Sequence, residues 1–131
     1  MAKELPYADT PIATVAFTAP VRVEVRFKLG VRLTAANVAA MMKVRQELGA
    51  DGKHRVLMFL PDLLDFSVDM LRTDHYANVP QPNTEAVAWL AKNEGDAAIT
   101  RTVISRSKIE FPWKVFLDEA EARAWLEEVK A

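Results

Sequence analysis

The stretch that decides the fold is residues 53–62, K-H-R-V-L-M-F-L-P-D, in which five apolar residues follow one another from Val56 to Leu60. A strand with one face in water alternates apolar and polar residues, whereas a strand covered on both faces need not. A helix is the rival interpretation, but the run is short, contains β-branched and aromatic residues, and ends at Pro61. The stretch therefore predicts a central strand with helices on both sides. Asp62 would lie at its exposed tip, where open α/β sheets usually place their functional sites.

Composition limits the classes of protein to consider. The 131 residues fit a single domain over 1–131, half of them are apolar, and the net charge is −1. A nearly neutral surface gives no reason to expect a nucleic-acid partner. The absence of cysteine excludes disulfides and cysteine nucleophiles. The N-terminus lacks the apolar core of a signal peptide, and no apolar run approaches the roughly 20 residues that span a bilayer. We therefore expect a cytoplasmic protein without membrane insertion.

The chain before the central strand predicts a lead-in and a hairpin. Residues 1–12 contain two prolines and predict an irregular segment. Residues 21–29 alternate strictly between apolar and charged side chains, which predicts a strand with one buried face and one face in water. The cations of its charged face could meet an acidic partner, but a solvated face is the favoured interpretation. The charged residues are Arg22, Glu24, Arg26 and Lys28.

The remaining periodicities predict an α/β fold, a mixed sheet of about five strands packed with about four helices. The predicted element order is β-β-α-β-α-α-β-β-α. The predicted strands are 14–18, 21–29, 56–60, 97–104 and 113–117. The predicted helices are 35–48, 68–77, 85–94 and the chain after 118, with Thr34, Ser67 and Asp118 as N-caps.

The candidate functional surface follows the central strand and consists of Asp62, Asp65, Phe66, Ser67 and Asp69. Acids after a parallel strand can hold a divalent cation, so one hypothesis is a metal-dependent hydrolase that uses Asp62 and Asp65. Loop acids and acids favoured by a helix dipole are the preferred interpretation. The sequence contains no G-x-S-x-G, Walker or G-x-G-x-x-G motif. We expect no catalytic residue, no metal site and no cofactor.

Three stretches of the chain resemble the STAS or SpoIIAA-like domains of bacteria. They are V-R-V-E-V-R-F-K-L-G-V-R-L-T-A-A-N-V at 21–38, H-R-V-L-M-F-L-P-D-L-L-D-F-S-V-D-M-L at 54–71, and F-P-W-K-V-F-L-D-E-A-E-A-R-A-W-L at 111–126. The resemblance covers about residues 13–130 and implies a SpoIIAA-like fold. In the anti-sigma factor antagonists of this family, a partner kinase phosphorylates a serine after the central strand, and the nearest serine here is Ser67. The family's Asp-Ser-Ser/Gly core is absent, since Val68 and Asp69 follow Ser67.

The resemblance makes a non-catalytic regulatory module the leading hypothesis. Its expected partner is another protein, or a second copy of the chain in a homodimer. The alternative is a module that binds a small apolar ligand or a lipid, because some domains of this fold hold apolar ligands. That alternative predicts an apolar pocket near Leu63, Leu64, Phe66, Met70 and Trp113. Met41 and Met42 are expected to fill the core rather than form an adaptable binding surface.

Overall fold

The computed structural model describes residues 5–130 and contains one mixed sheet whose six strands lie side by side in chain order. β1 to β3 pair antiparallel, and β3 to β6 pair parallel. The strands are β1 (Tyr7–Asp9), β2 (Ala13–Ala19), β3 (Arg22–Phe27), β4 (His54–Phe59), β5 (Thr84–Leu90) and β6 (Trp113–Phe116). The helices are α1 (Ala35–Leu48), α2 (His75–Asn78), α3 (Glu94–Ser105) and α4 (Glu119–Glu128), with a 3₁₀ turn at Val68–Leu71.

The predicted central strand is confirmed. β4 lies between β3 and β5 and is parallel to both. Its apolar residues alternate between two separate cores, because successive side chains of a strand point to opposite faces of the sheet. Val56, Met58 and Leu60 belong to one core, and Leu57 and Phe59 belong to the other. Five apolar residues in a row are therefore all buried.

The two cores are covered by different helices. The larger core contains residues of α1 and α3 together with Met70 and Tyr76 from the connection between β4 and β5. The smaller core lies on the opposite face and is closed by Ala122 and Leu126 of α4. None of the helices in residues 5–130 combines the length and the apolar character needed to cross a membrane.

Three elements of the predicted order are wrong. The predicted helix over 68–77 is a 3₁₀ turn at Val68–Leu71 followed by the separate short helix α2. The predicted helix over 85–94 is strand β5, and the predicted strand over 97–104 lies inside helix α3. The alanines of T-E-A-V-A-W-L favour a helix locally, but a strand between β4 and β6 buries both of its faces, and this tertiary gain prevails. In α3, the Asn93 Oδ1 atom accepts a hydrogen bond from the Asp96 N–H at 2.8 Å and caps the helix.

The lead-in and the second hairpin strand also differ from the prediction. Within 5–12, Tyr7–Asp9 forms β1, while residues 1–4 lie outside the described part. The buried part of the 21–29 strand is shorter than predicted, because Val21 and Leu29 are exposed. The predicted N-cap Thr34 is confirmed, since its side chain accepts a hydrogen bond from Asn37 N–H.

The charged face of β3 is not solvated along its whole length. Glu24 on this face is buried, with only 6% of its surface exposed. Arg123 of α4 donates to the two carboxylate oxygens of Glu24 at 3.0 and 3.4 Å, and Arg26 donates at 3.0 Å. Burial alone would raise the pKa of Glu24. The hydrogen bonds and charge of Arg123, a hydrogen bond from Thr18 and the charge of Arg26 outweigh burial and lower it. Glu24 therefore links β3 to α4 through Arg123.

We predict that Glu24→Gln lowers the free energy of unfolding by about 1–3 kcal/mol, because it leaves two guanidinium groups without their carboxylate. Urea denaturation at pH 7 measures the change. Since the pKa of Glu24 is lowered in the folded state, its stabilisation is present above the unfolded pKa and is lost as the pH falls through the folded pKa. The difference between the two proteins should therefore shrink in acid.

Glu127→Gln is the matched control for this prediction. Glu127 also accepts from an arginine, Arg22, but its side chain is 71% exposed. Exposed ion pairs contribute little, so we expect a change of about 0.5 kcal/mol or less. If the two variants lower the free energy of unfolding by equal amounts, the assigned role of Glu24 is contradicted.

Candidate functional site

The segment that follows β4 passes over the larger core before β5 begins. We call residues 63–71 the cover segment. Its backbone forms a parallel bridge with the stretch before α1, because Leu33 N–H donates to the Asp65 carbonyl at 2.8 Å and Ser67 N–H donates to the Leu33 carbonyl at 2.9 Å. Inside the segment, Leu64 and Phe66 pack on the larger core. Four of the five predicted site residues, Asp65, Phe66, Ser67 and Asp69, therefore lie in this segment, and Asp62 immediately precedes it.

The acids of the predicted site bind different neighbours. An Asp62 carboxylate oxygen lies 3.7 Å from Lys92 Nζ, and an Asp65 oxygen lies 3.8 Å from Arg32 Nε. Both acids are exposed. Within residues 5–130, no group of three or more His, Cys, Asp or Glu side chains is placed to hold a metal ion.

Asp69 ties the cover segment to the start of α1. Its Oδ1 atom accepts a hydrogen bond from Ala35 N–H at 3.2 Å and another from Ser67 Oγ. The hydrogen bond from Ser67, followed by that from Ala35, lowers the pKa of the Asp69 carboxyl. Ser67 occupies the predicted N-cap position, at the start of the 3₁₀ turn, but its hydroxyl donates to Asp69 Oδ1 and makes no cap bond to the turn.

A cavity lies beneath the cover segment, in the larger core. Its volume is about 50 Å³, and apolar side chains form nearly all of its wall. Leu64, Phe66 and Met70 contribute to this wall, as the apolar-ligand hypothesis predicted. Leu63 points away from it and is 82% exposed, and Trp113 packs on the core elsewhere.

Few polar groups line the cavity, and most of these are already hydrogen bonded. A ring nitrogen of His75 lies 3.1 Å from the Met70 carbonyl, and Thr100 Oγ1 donates to the Asp96 carbonyl at 2.8 Å. Trp89 differs, because its Nε1–H is buried and has no acceptor among the described residues. A buried donor without an acceptor is costly, so the Trp89 Nε1–H is an unused hydrogen-bond donor in the larger core.

Sequence reasoning missed the walls contributed by β5 and α3. Trp89, Val103 and Ile104 line the cavity, but both elements were assigned to the wrong type of secondary structure. The available signal was A-V-A-W-L-A at 86–91, an uninterrupted apolar run like that of the central strand. Met41 and Met42 are buried as expected, and they line the cavity as well.

A family model described as a domain of unknown function, DUF7793, matches residues 23–130. The chain belongs to this family. The DUF7793 domain is also similar to a solved structure, an uncharacterized protein of the DUF3478 family with a SpoIIAA-like fold from Shewanella loihica PV-4. The two are 16% identical, with a TM-score of 0.59 over 96% of this chain and 98% of the other. No curated protein matches the sequence.

The structural likeness confirms the SpoIIAA-like fold that the three sequence stretches indicated. The mixed sheet with four helices agrees with the predicted fold class, and the sheet has six strands where about five were expected.

We predict that Asp69→Asn lowers the melting temperature at pH 7, because it weakens the acceptor that holds the cover segment against α1. Asp62→Asn is the control, since Asp62 has only a distant lysine as its partner, and its effect should be smaller. The lowered pKa of Asp69 means that its stabilisation is lost as the pH falls through that pKa. The effect of Asp69→Asn should therefore fade in acid. Equal effects of the two variants at pH 7 would refute the role of Asp69.

Proposed function

We propose that this DUF7793 domain is a non-catalytic binding module that holds a small apolar ligand in the cavity beneath the cover segment. The supporting observation is the cavity of about 50 Å³, which is several times the roughly 10–15 Å³ that one water molecule requires. Protein interiors are close-packed, so an open apolar space forfeits dispersion contacts that an apolar ligand would restore. The cavity's size favours a short chain or a small ring.

The lack of catalysis is part of the same proposal. It is supported by the hydrogen bonds of Asp69 within the fold and by the separate partners of Asp62 and Asp65. The SpoIIAA-like fold is shared by proteins of different roles, so the proposal rests on the cavity and not on the fold.

The methionine side chains allow a direct test of ligand entry. Four of the five methionines, Met41, Met42, Met58 and Met70, line the cavity. In NMR spectra of protein with ¹³C-labelled methionine methyl groups, we expect hexan-1-ol and toluene to shift these four resonances saturably. Linear shifts that never saturate would contradict the proposal.

We predict that Val38→Ile raises stability by up to about 0.8 kcal/mol, the value of one buried methylene, because Val38 borders open space. The same change should weaken hexan-1-ol binding. Val15→Ile is the control, because Val15 is fully buried in the same core but does not line the cavity, so the added methylene should cost about 1–3 kcal/mol. Urea denaturation measures both. A similar loss of stability in the two variants would argue against usable space at Val38.

A second candidate function is the regulatory protein contact that the sequence favoured. It is supported by the outer side of the cover segment, where Leu63 is 82% exposed, Val68 63% and Leu71 36%. Three exposed apolar side chains in one short segment are a candidate contact surface. We infer that a partner protein would contact this side. Ligand in the cavity would touch Leu64 and Phe66 on the inner side of the same segment.

Site-specific photocrosslinking tests this contact. A photoreactive residue at position 68 is expected to yield a discrete adduct in cells, whereas one at Ile99 of α3, which is 42% exposed, should not. An adduct of twice the mass of the chain identifies a homodimer. The same adducts from both positions, or none from position 68, would reject the contact.

A further inference from the structure

A buried arginine without a counter-ion lies close to the cavity. Arg45 of α1 is 1% exposed. Its Nη2 donates to Thr84 Oγ1 at 3.0 Å, while Nε and Nη1 are buried and have no acceptor in the described part of the chain. No acidic side chain within residues 5–130 forms an ion pair with it. An unpaired buried charge is strongly unfavourable, so this guanidinium favours a bound anion.

Arg45 continues the face of α1 that lines the cavity. Met41 and Met42 are part of the cavity wall, and Arg45 follows them by four and three residues, which places all three on one side of the helix. The Arg45 Cζ atom lies 5.8 Å from the centre of the Tyr76 ring, and Tyr76 also lines the cavity. The guanidinium is therefore next to the cavity wall, on the side where β5 begins.

The other groups near Arg45 do not neutralise it. Burial lowers the pKa of His54. A hydrogen bond with the Gly52 carbonyl opposes this shift, and the charge of Arg45 lowers the pKa further. The charge of Glu85 acts in the opposite direction on His54, but Glu85 follows Thr84 in β5 and so points to the other face of the sheet. Within residues 5–130, no carboxylate therefore pairs with the Arg45 charge, whose neighbours are the Thr84 hydroxyl and the Tyr76 ring.

We infer that the cavity binds an apolar chain that ends in a carboxylate. The carboxylate accepts hydrogen bonds from Arg45, and the chain fills the space lined by Met41, Met42 and Met58. The unbranched Met42 side chain shifts to join the guanidinium to the cavity. The inference rests on the proposed function, because it specifies the ligand of the same cavity. Arg45 then supplies the polar end of the site, and Trp89 is one of the residues that line its apolar part.

The test compares ligands of equal length on the unmodified protein at pH 7, where an ordinary carboxylic acid is ionised. Hexanoate, hexan-1-ol and acetate are titrated, with the methionine methyl resonances as the measure of binding. We expect hexanoate to bind about tenfold or more tightly than hexan-1-ol, because a charge-assisted hydrogen bond is added. We expect acetate to bind at least tenfold more weakly than hexanoate, because it lacks the chain.

A variant then assigns the preference to Arg45. Arg45→Met removes the charge and keeps an unbranched side chain, and it should abolish the preference for hexanoate over hexan-1-ol. Arg55→Met is the control, since Arg55 donates to the Leu126 carbonyl of α4 on the opposite face of the sheet, and it should keep the preference. If Arg45→Met does not fold, the comparison of hexanoate with hexan-1-ol and acetate on the unmodified protein still tests the carboxylate inference.

The outcomes separate this inference from the proposed function. If hexan-1-ol and hexanoate bind equally well, the carboxylate inference is overturned and the apolar cavity stands. Acetate that binds as tightly as hexanoate, or a preference that survives in Arg45→Met, also overturns it. If neither six-carbon ligand shifts the methionine resonances saturably, the proposed function fails and the inference fails with it.

Discussion

Burial of both faces of β4 and β5 is the constraint on which the rest of the structure depends. Each strand contributes alternate side chains to two cores, and neither can tolerate a polar residue in its centre. The connections between successive parallel strands all pack against the larger core, so that core receives α1, α2, α3 and the cover segment. The cavity lies in this core, between these elements and the β4 and β5 residues Met58 and Trp89.

The sequence predicted secondary structure correctly where the local propensity of a segment agrees with its burial in the fold. The apolar run of β4, the capped start of α1 at Thr34 and the acidic start of α4 at Asp118 each carried a direct signal. It was misleading at β5 and α3, because alanine-rich strands and β-branched helices contradict their intrinsic propensities. The buried position of Glu24 could not be read from strand alternation, since the covering residue Arg123 lies 99 positions away in the chain.

The sequence placed the candidate site after the central strand because of its acids, whereas the proposed ligand site is a cavity on the inner side of the same segment. The acids after the central strand were considered as possible ligands of a divalent cation. In the structure, Asp69 instead accepts a hydrogen bond from Ala35 and so fixes the cover segment to α1. The proposed ligand site lies on the inner side of the cover segment and is lined by apolar residues. A single sequence cannot predict a buried N–H or guanidinium that lacks a hydrogen-bond partner, because the surrounding residues come from α1, β5 and α2. The sequence could point to Leu64, Phe66 and Met70, but not to Trp89 or Arg45.

The position of α4 has a consequence for biosynthesis. Helices α1 and α3 and the segment between β4 and β5 can cover the first face of the sheet as soon as they emerge from the ribosome. The second face, with Leu57, Phe59 and Leu90, is closed by α4. A nascent chain that ends before Glu119 would expose this apolar surface to solvent and to chaperones. Completion of the native fold must therefore wait for α4, and premature termination in this helix would yield an aggregation-prone product.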